Sequence, residues 1–140
     1  MINNTSMPRS WIIPELGYPD VREAVQWLTR TFGFKERVRI GEHRAQLTYG
    51  SGDLIVMQGS AVSASTPMTH AVMVRVADLD AHYSHSKQSG AKVTREPETF
   101  PYGERQYSVT DIGGHIWTFS QSVADVDPST WGGTLNKQAP

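Results

Sequence analysis

Cysteine is absent from the 140 residues. That removes disulfides, thiolate metal sites, iron–sulfur clusters and cysteine nucleophiles together. It also suits a chain kept in a reducing compartment. An excess of one charge is missing too. Thirteen basic residues face fourteen acidic ones, for a formal net charge of -1. Little is left to neutralise a phosphate backbone, so no nucleic-acid partner is expected. No block of like charge occurs, which removes charged tails and polybasic membrane anchors. Long apolar runs are lacking as well. Leu54-Ile55-Val56-Met57 is typical, whereas a membrane span needs roughly twenty residues. Residues 1–10 are polar and hold no apolar signal core. These absences predict a cytoplasmic protein with no membrane partner. There is no Gly-x-Ser-x-Gly elbow, Walker loop or dinucleotide fingerprint, and Gly50-Ser51-Gly52 reads as a hairpin turn.

What is present is a repeat. Residues 1–10 read as a flexible lead-in. Trp11 to Tyr18 reads as a strand, placed at an edge or end by Pro14. Asp20 with Glu23 makes a helix N-cap box. Val21, Ala24, Val25, Leu28 and Phe32 follow at helical spacing, and Gly33 ends the helix. Strands are predicted at 35–40, 44–49 and 54–58. The small, polar segment 59–69 reads as a linker. The order then recurs: a strand at 71–76, a helix capped by Asp78 and ended by Gly90, and strands at 92–95, 106–110 and 116–120. The modules span 11–58 and 70–121, and 122–140 is an irregular arm. Gly33-Phe34-Lys35 echoes Gly90-Ala91-Lys92, Arg44 echoes Arg105, and Gly52-Asp53-Leu54-Ile55 echoes Gly114-His115-Ile116-Trp117. An internal duplication follows. The predicted class is α+β: two βαβββ modules forming a cupped mixed sheet, with helices on the outer face and a cleft on the concave side.

This duplicated unit, with Phe32-Gly33-Phe34 and Gly113-Gly114-His115-Ile116-Trp117-Thr118-Phe119, resembles the vicinal oxygen chelate superfamily. That group includes glyoxalase I, extradiol dioxygenases, fosfomycin-resistance enzymes and bleomycin-resistance proteins. The resemblance covers residues 11–121. Ile12-Ile13-Pro14, Tyr18-Pro19-Asp20 and Tyr102-Gly103-Glu104-Arg105 look most like the bleomycin-resistance branch. Enzymes of the superfamily carry a divalent metal on the first and fourth strands of each module. Carried over, those positions fall on Ile13, Ala71, Val56 or Met57, and Thr118. These are poor ligands for divalent cations. His70 is offset by one residue, and Glu15 shares the face of Ile13. The resemblance therefore implies no metal and no cofactor. It also implies a small-molecule ligand, an antibiotic among the candidates, bound in a cleft that a second subunit often completes, hence a homodimer.

Strand alternation sorts the side chains. Thr118 on the cleft face puts Trp117 in the core. Glu15 and Arg75 then stand as charges inside the cup, either meeting a ligand, pairing with each other or lying exposed at a strand end. Arg105, beside Tyr107, either holds a ligand carboxylate or other acceptor, or is a surface cation or the partner of a nearby acid. Trp131 is the large apolar group of the arm. The ligand-binding candidates are Glu15, Arg75, Arg105, Tyr107, Thr118 and Trp131. His82 and His85 read as one solvated helix side, and His115 as a turn or site residue. Two rival readings remain. One is a metal-dependent lyase, isomerase or dioxygenase with ligands from Glu15, His70 and His43 or His115. The other is a partner-binding module with no pocket.

Overall fold

The computed structural model describes residues 1–65 and 67–136. Thr66 of the predicted linker and the last four residues of the predicted arm lie outside them. The first module runs β1 (Glu15–Tyr18), α1 (Val21–Phe32), β2 (Lys35–Ile40), β3 (Arg44–Tyr49) and β4 (Gly52–Gln58). The second runs β5 (Val72–Arg75), α2 (Leu79–Gln88), β6 (Lys92–Thr99), β7 (Glu104–Thr110) and β8 (Ile116–Ser122). A short 3-10 turn follows at Pro128–Trp131. Each module is one four-stranded mixed sheet, ordered β1-β4-β3-β2 and β5-β8-β7-β6. The first strand of each pairs parallel to the last, and the other pairs are antiparallel. The class and the duplicated βαβββ modules are those predicted.

The local signals act as expected. Asp20 Oδ1 accepts from Glu23 N at 3.0 Å, and Asp78 Oδ1 accepts from Ala81 N at 3.1 Å. Gly33 closes α1 in the left-handed region at φ +91°, and its N–H reaches back to the last turn. Several strands differ in extent by one or two residues at an end, and two differ by four. β1 starts only at Glu15, because Pro14 has no N–H. Its carbonyl alone joins the ladder, accepting from Ile55 N at 2.9 Å. β6 runs on through Glu96-Pro97-Glu98, which the sequence suggests is a loop. It is an edge strand with two register shifts, so Pro97 breaks no ladder bond.

The modules join through one core. α1 packs on its own sheet, yet its last residue reaches the other. The Phe32 ring lies 5.4 Å from that of Trp117 and 4.8 Å from that of Phe119, both on β8. Trp117 is fully buried, as strand alternation predicts. α2 supplies what α1 lacks at its end. His82 Nε2 donates to Phe32 O at 2.9 Å, His85 Nε2 to Arg30 O at 2.8 Å, and Ser86 Oγ to Thr31 O at 3.3 Å. These are carbonyls that a helix C-terminus leaves unpaired. His82, half-buried, is therefore a contact between modules where the sequence suggests a solvated helix side, while His85 makes its bond from a side chain that stays exposed.

A second junction forms at the β7–β8 turn. The buried Asp111 carboxylate accepts from Tyr18 OH at 2.5 Å and Trp117 Nε1 at 2.9 Å. It also accepts from the backbone N–H of Gly113 and of His115, each at 2.9 Å. Burial and then the neighbouring Asp111 hold the Tyr18 phenol neutral, raising its pKa well above the ordinary value. The glycines here are sterically required. A Cβ on Gly113 would lie 2.4 Å from the Tyr18 ring, and one on Gly114 2.5 Å from Val62 O. Each sheet thus turns one face to the shared core and the other, open face away from it. No strand ladder links β1 to β5 among the described residues.

Candidate functional site

The register fixes which side chains stand on the open faces. Met73 lies opposite Thr118, and Thr118 opposite Ser108. Arg75 lies opposite Ser120, and Ser120 opposite Gln106. These residues share the open face of the second sheet. A polar network ties them together. Ser120 Oγ donates to Glu104 Oε1 at 2.7 Å and accepts from Gln106 Nε2 at 3.0 Å. Gln106 Oε1 accepts from Arg95 Nη2 at 3.1 Å and Tyr102 OH at 3.3 Å. Ser108 and Thr118 hydroxyls meet at 3.0 Å. An aromatic rack flanks the network. Phe100 and Tyr102 stack 5.4 Å apart, the Arg95 guanidinium lies 4.9 Å over Phe100, and the Trp131 ring tilts onto Tyr102 at 5.4 Å. Arg95 Nε is buried without a partner.

β5 connects this face to a groove. A cavity of about 460 Å³ lies between the modules, walled by Phe34, Tyr49, Leu54, Val72 and Val74. Met73 and Arg75 stand at its rim with Asp53. Met73 is 64 % exposed, and Arg75 is exposed with no hydrogen bond or ion pair among the described residues. Burial pushes the Tyr49 phenol pKa up, so it stays a neutral hydroxyl. An apolar slot with one unpaired cation suits an amphipathic anion.

The predicted residues separate. Thr118 and Arg75 lie on the open face of the second sheet, and Trp131, 46 % exposed, lies beside the rack. Glu15 is on the open face of the first sheet, held by Arg44 Nη2 at 2.5 Å rather than by Arg75. Two candidates face elsewhere. Tyr107 is fully buried on the core side, with its hydroxyl 2.9 Å from Ser86 Oγ and 2.5 Å from His82 Nδ1. Arg105 shares that parity and pairs with Asp80 of α2 at 3.0 Å. Strand alternation from Gln106 separates both from the open face. Glu104, Gln106, Ser108 and Ser120 went unnoticed in the sequence. Their signal is the alternation of polar with apolar residues along β7 and β8.

The positions carried over for a metal do not assemble a donor set. Val56 is in the core, Met57 opposes Arg44 on the open face, and Ile13 and Ala71 lie ahead of their strands. Of the rival ligands, Glu15 is held by Arg44 and His115 Nε2 donates to Gly17 O at 2.8 Å; the His70 ring stands 6.2 Å from that of His115, and Glu15 and His43 lie in the first module. No three His, Asp or Glu side chains converge among the described residues. The residues present do not fit a divalent metal centre.

The sequence model of the Glyoxalase/Bleomycin resistance protein/Dioxygenase superfamily matches residues 12–119. The chain belongs to this superfamily. TioX from Micromonospora sp. ML1 is similar at 35 % identity, with 84 % of this chain covering 100 % of that one at a TM-score of 0.67. A glyoxalase/bleomycin resistance protein/dioxygenase from Alicyclobacillus acidocaldarius shares the fold at 16 % identity, covering 84 % and 95 % of the two chains at 0.69. So does a mutant of the fosfomycin resistance protein FosX from Listeria monocytogenes, complexed with Mn(II) and 1S,2S-dihydroxypropylphosphonic acid. It is 14 % identical, covering 81 % and 90 % at 0.66. No curated protein matches the chain. No helix among the described residues is long and apolar enough to cross a membrane.

Proposed function

We propose that this superfamily member binds a small, flat, amphipathic molecule without a metal and without turning it over. An antibiotic of the kind handled by the bleomycin-resistance branch is the favoured class. The observation that carries the reading is Arg75, an unpaired cation at the rim of an apolar groove. It would hold an acidic group of the ligand while the groove and the rack take its planar part. A homodimer belongs to the same reading. Both inner sheet faces are spent on one core, so each open face of a single chain is half of a cup. A second chain would complete the cleft beside the exposed β5 edge of the second sheet. A cytoplasmic location is part of the proposal.

The experiment is a fluorescence titration of planar anionic antibiotics and of anilinonaphthalene sulfonate against the wild type and Arg75→Ala. Saturable binding, weakened by the substitution, is expected. Unchanged affinity removes Arg75 from the site. Elemental analysis of untagged protein tests the metal-free part. About one retained ion per chain overturns it and revives the metal-dependent enzyme reading.

A further inference from the structure

The open face of the first sheet is already occupied. Ile55 is 4 % exposed, yet it stands apart from the hydrophobic core cluster. Its cross-strand neighbours Glu15 and Gln46 lie on the open face. The chain's own N-terminus covers it. Arg37 Nη2 donates to Thr5 O at 2.6 Å, and Gln46 Nε2 donates to Ser6 O at 2.8 Å. Ser10 Oγ donates to Asp53 Oδ2 at 2.6 Å, at the rim of the groove. Pro8 is buried between these anchors. The segment carries its own turn: Asn4 accepts from Ser6 N at 3.0 Å and from Met7 N at 3.1 Å.

We propose that residues 4–10 are a removable strap, and that lifting it exposes a second ligand surface on the first sheet. The proposal rests on the reading that the open faces bind small molecules. Three features support it. The family match begins at residue 12, so the strap lies outside the matched fold. Its attachment is narrow: among the described residues, five hydrogen bonds, all made by Thr5, Ser6 and Ser10, and one buried proline join it to the first module. Beyond the last anchor, Trp11 and Ile12 are 85 % and 86 % exposed, so nothing apolar clamps that end. The strap also describes what can replace it. A ligand must offer acceptors to Arg37 and Gln46, as the Thr5 and Ser6 carbonyls do, and apolar surface to Ile55. An amphipathic molecule with two acceptor groups meets both demands.

The test uses the absence of native cysteine. Ile55→Cys places a lone thiol under the strap. In the full chain it should react slowly with an aromatic disulfide reagent. Deleting residues 1–10 should speed the reaction about 30-fold, and Ser10→Ala, which drops one anchor, up to about tenfold. The point variant serves if the deletion fails to fold. Equal rates in all forms overturn the strap. The deletion should also take up about one further anilinonaphthalene sulfonate per chain. A freed thiol with unchanged dye binding overturns the gating role. If instead Arg75→Ala leaves dye binding unchanged while the deletion adds a site, the strap stands and the anchor proposed at Arg75 falls.

Discussion

In the first module, Gly17, Met57 and Arg44 stand in one row across the open face. In the second, the same row holds Arg75, Ser120 and Gln106. The next row reads Glu15, Ile55 and Gln46 in the first, and Met73, Thr118 and Ser108 in the second. The first module thus places Met57 and the buried Ile55 where the second places the Ser120 and Thr118 hydroxyls, and the Glu15–Arg44 ion pair where the second has Met73 and Gln106. One face is closed by the chain's own N-terminus. The other has a hydrogen-bonded polar floor in which Gln106, Ser108 and Ser120 are themselves buried, and it exposes Met73 and the free Arg75 guanidinium on its β5 edge. A duplicated fold has been divided between a face covered by a segment outside the sheet and one that is exposed along a single edge strand. The inner faces diverge in the same way. Leu54 and Val56 correspond to Trp117 and Phe119, so the second module supplies the large rings that fill the joint.

The sharpest way to break this comparison is at the two hairpin turns. Asp111→Ala removes four hydrogen bonds at once and leaves Tyr18 OH and Trp117 Nε1 buried without an acceptor. Urea unfolding should show a loss of about 3–5 kcal/mol. Ser51→Ala, in the matching turn of the first module, should stay within about 0.5 kcal/mol. Comparable losses would mean that the joint is symmetric.

A second contrast lies on the helices. By the Asp20 and Asp78 caps, buried Ala24 corresponds to His82. Burial lowers the proton affinity of His82, against a smaller opposing pull from its bond to Phe32 O. Phe119, Tyr107, Tyr49 and Phe32 surround the ring, and His85, on the same helix, adds a smaller push in the direction of burial. The unfolded chain, at an ordinary histidine pKa of about 6.5, then binds a proton the folded chain refuses. This contribution to stability is whole above about 6.5 and is lost as the pH falls below that towards the depressed folded value. Melting curves from pH 7.5 to pH 5 should fall for the wild type and be flatter for His82→Gln. Parallel curves would show that the His82 contact is not the sensor.

How much of this was legible in the sequence depends on sheet parity. Helical periodicity with Asp20, Gly33 and Asp78 fixed both helices, and alternation placed Trp117 inside and Thr118 outside. Parity failed where loop length intervened. The β6–β7 hairpin is longer than the β2–β3 hairpin and has two register shifts instead of one, so matching Arg44 to Arg105 slipped by one residue and crossed from one face to the other. The register makes Gln106 the partner of Arg44. The β7–β8 turn is likewise longer than the β3–β4 turn, so Leu54, not Ile55, corresponds to Trp117. The Glu15–Arg44 pair and the Asp111 joint link residues 29 and 93 apart in sequence. No local pattern reports such contacts. The polar lead-in gave no sign that Arg37 and Gln46 would hold its carbonyls.

Two smaller effects sharpen the functional side. Arg75→Ala should weaken binding of an anionic ligand about tenfold, read by titration, while shifting stability by less than about 0.5 kcal/mol. Trp131→Ala should cost about threefold in affinity and leave the melting temperature unchanged, since the ring only leans on Tyr102. A large loss of stability in either would assign that side chain to packing rather than binding.

The capping of α1 by α2 has a consequence for synthesis. Arg30, Thr31 and Phe32 present their carbonyls to residues 85, 86 and 82, more than fifty positions later for the first two and fifty for the third. A ribosome adding about 5–20 residues per second leaves that helix end open to water for several seconds. During that interval Phe32 also lacks the rings of Trp117 and Phe119. The first half of the nascent chain therefore carries an unfinished helix and an uncovered apolar end until the second half has emerged. Truncated translation products ending in the linker should for that reason be clients of chaperones and proteases, whereas the completed chain should escape both.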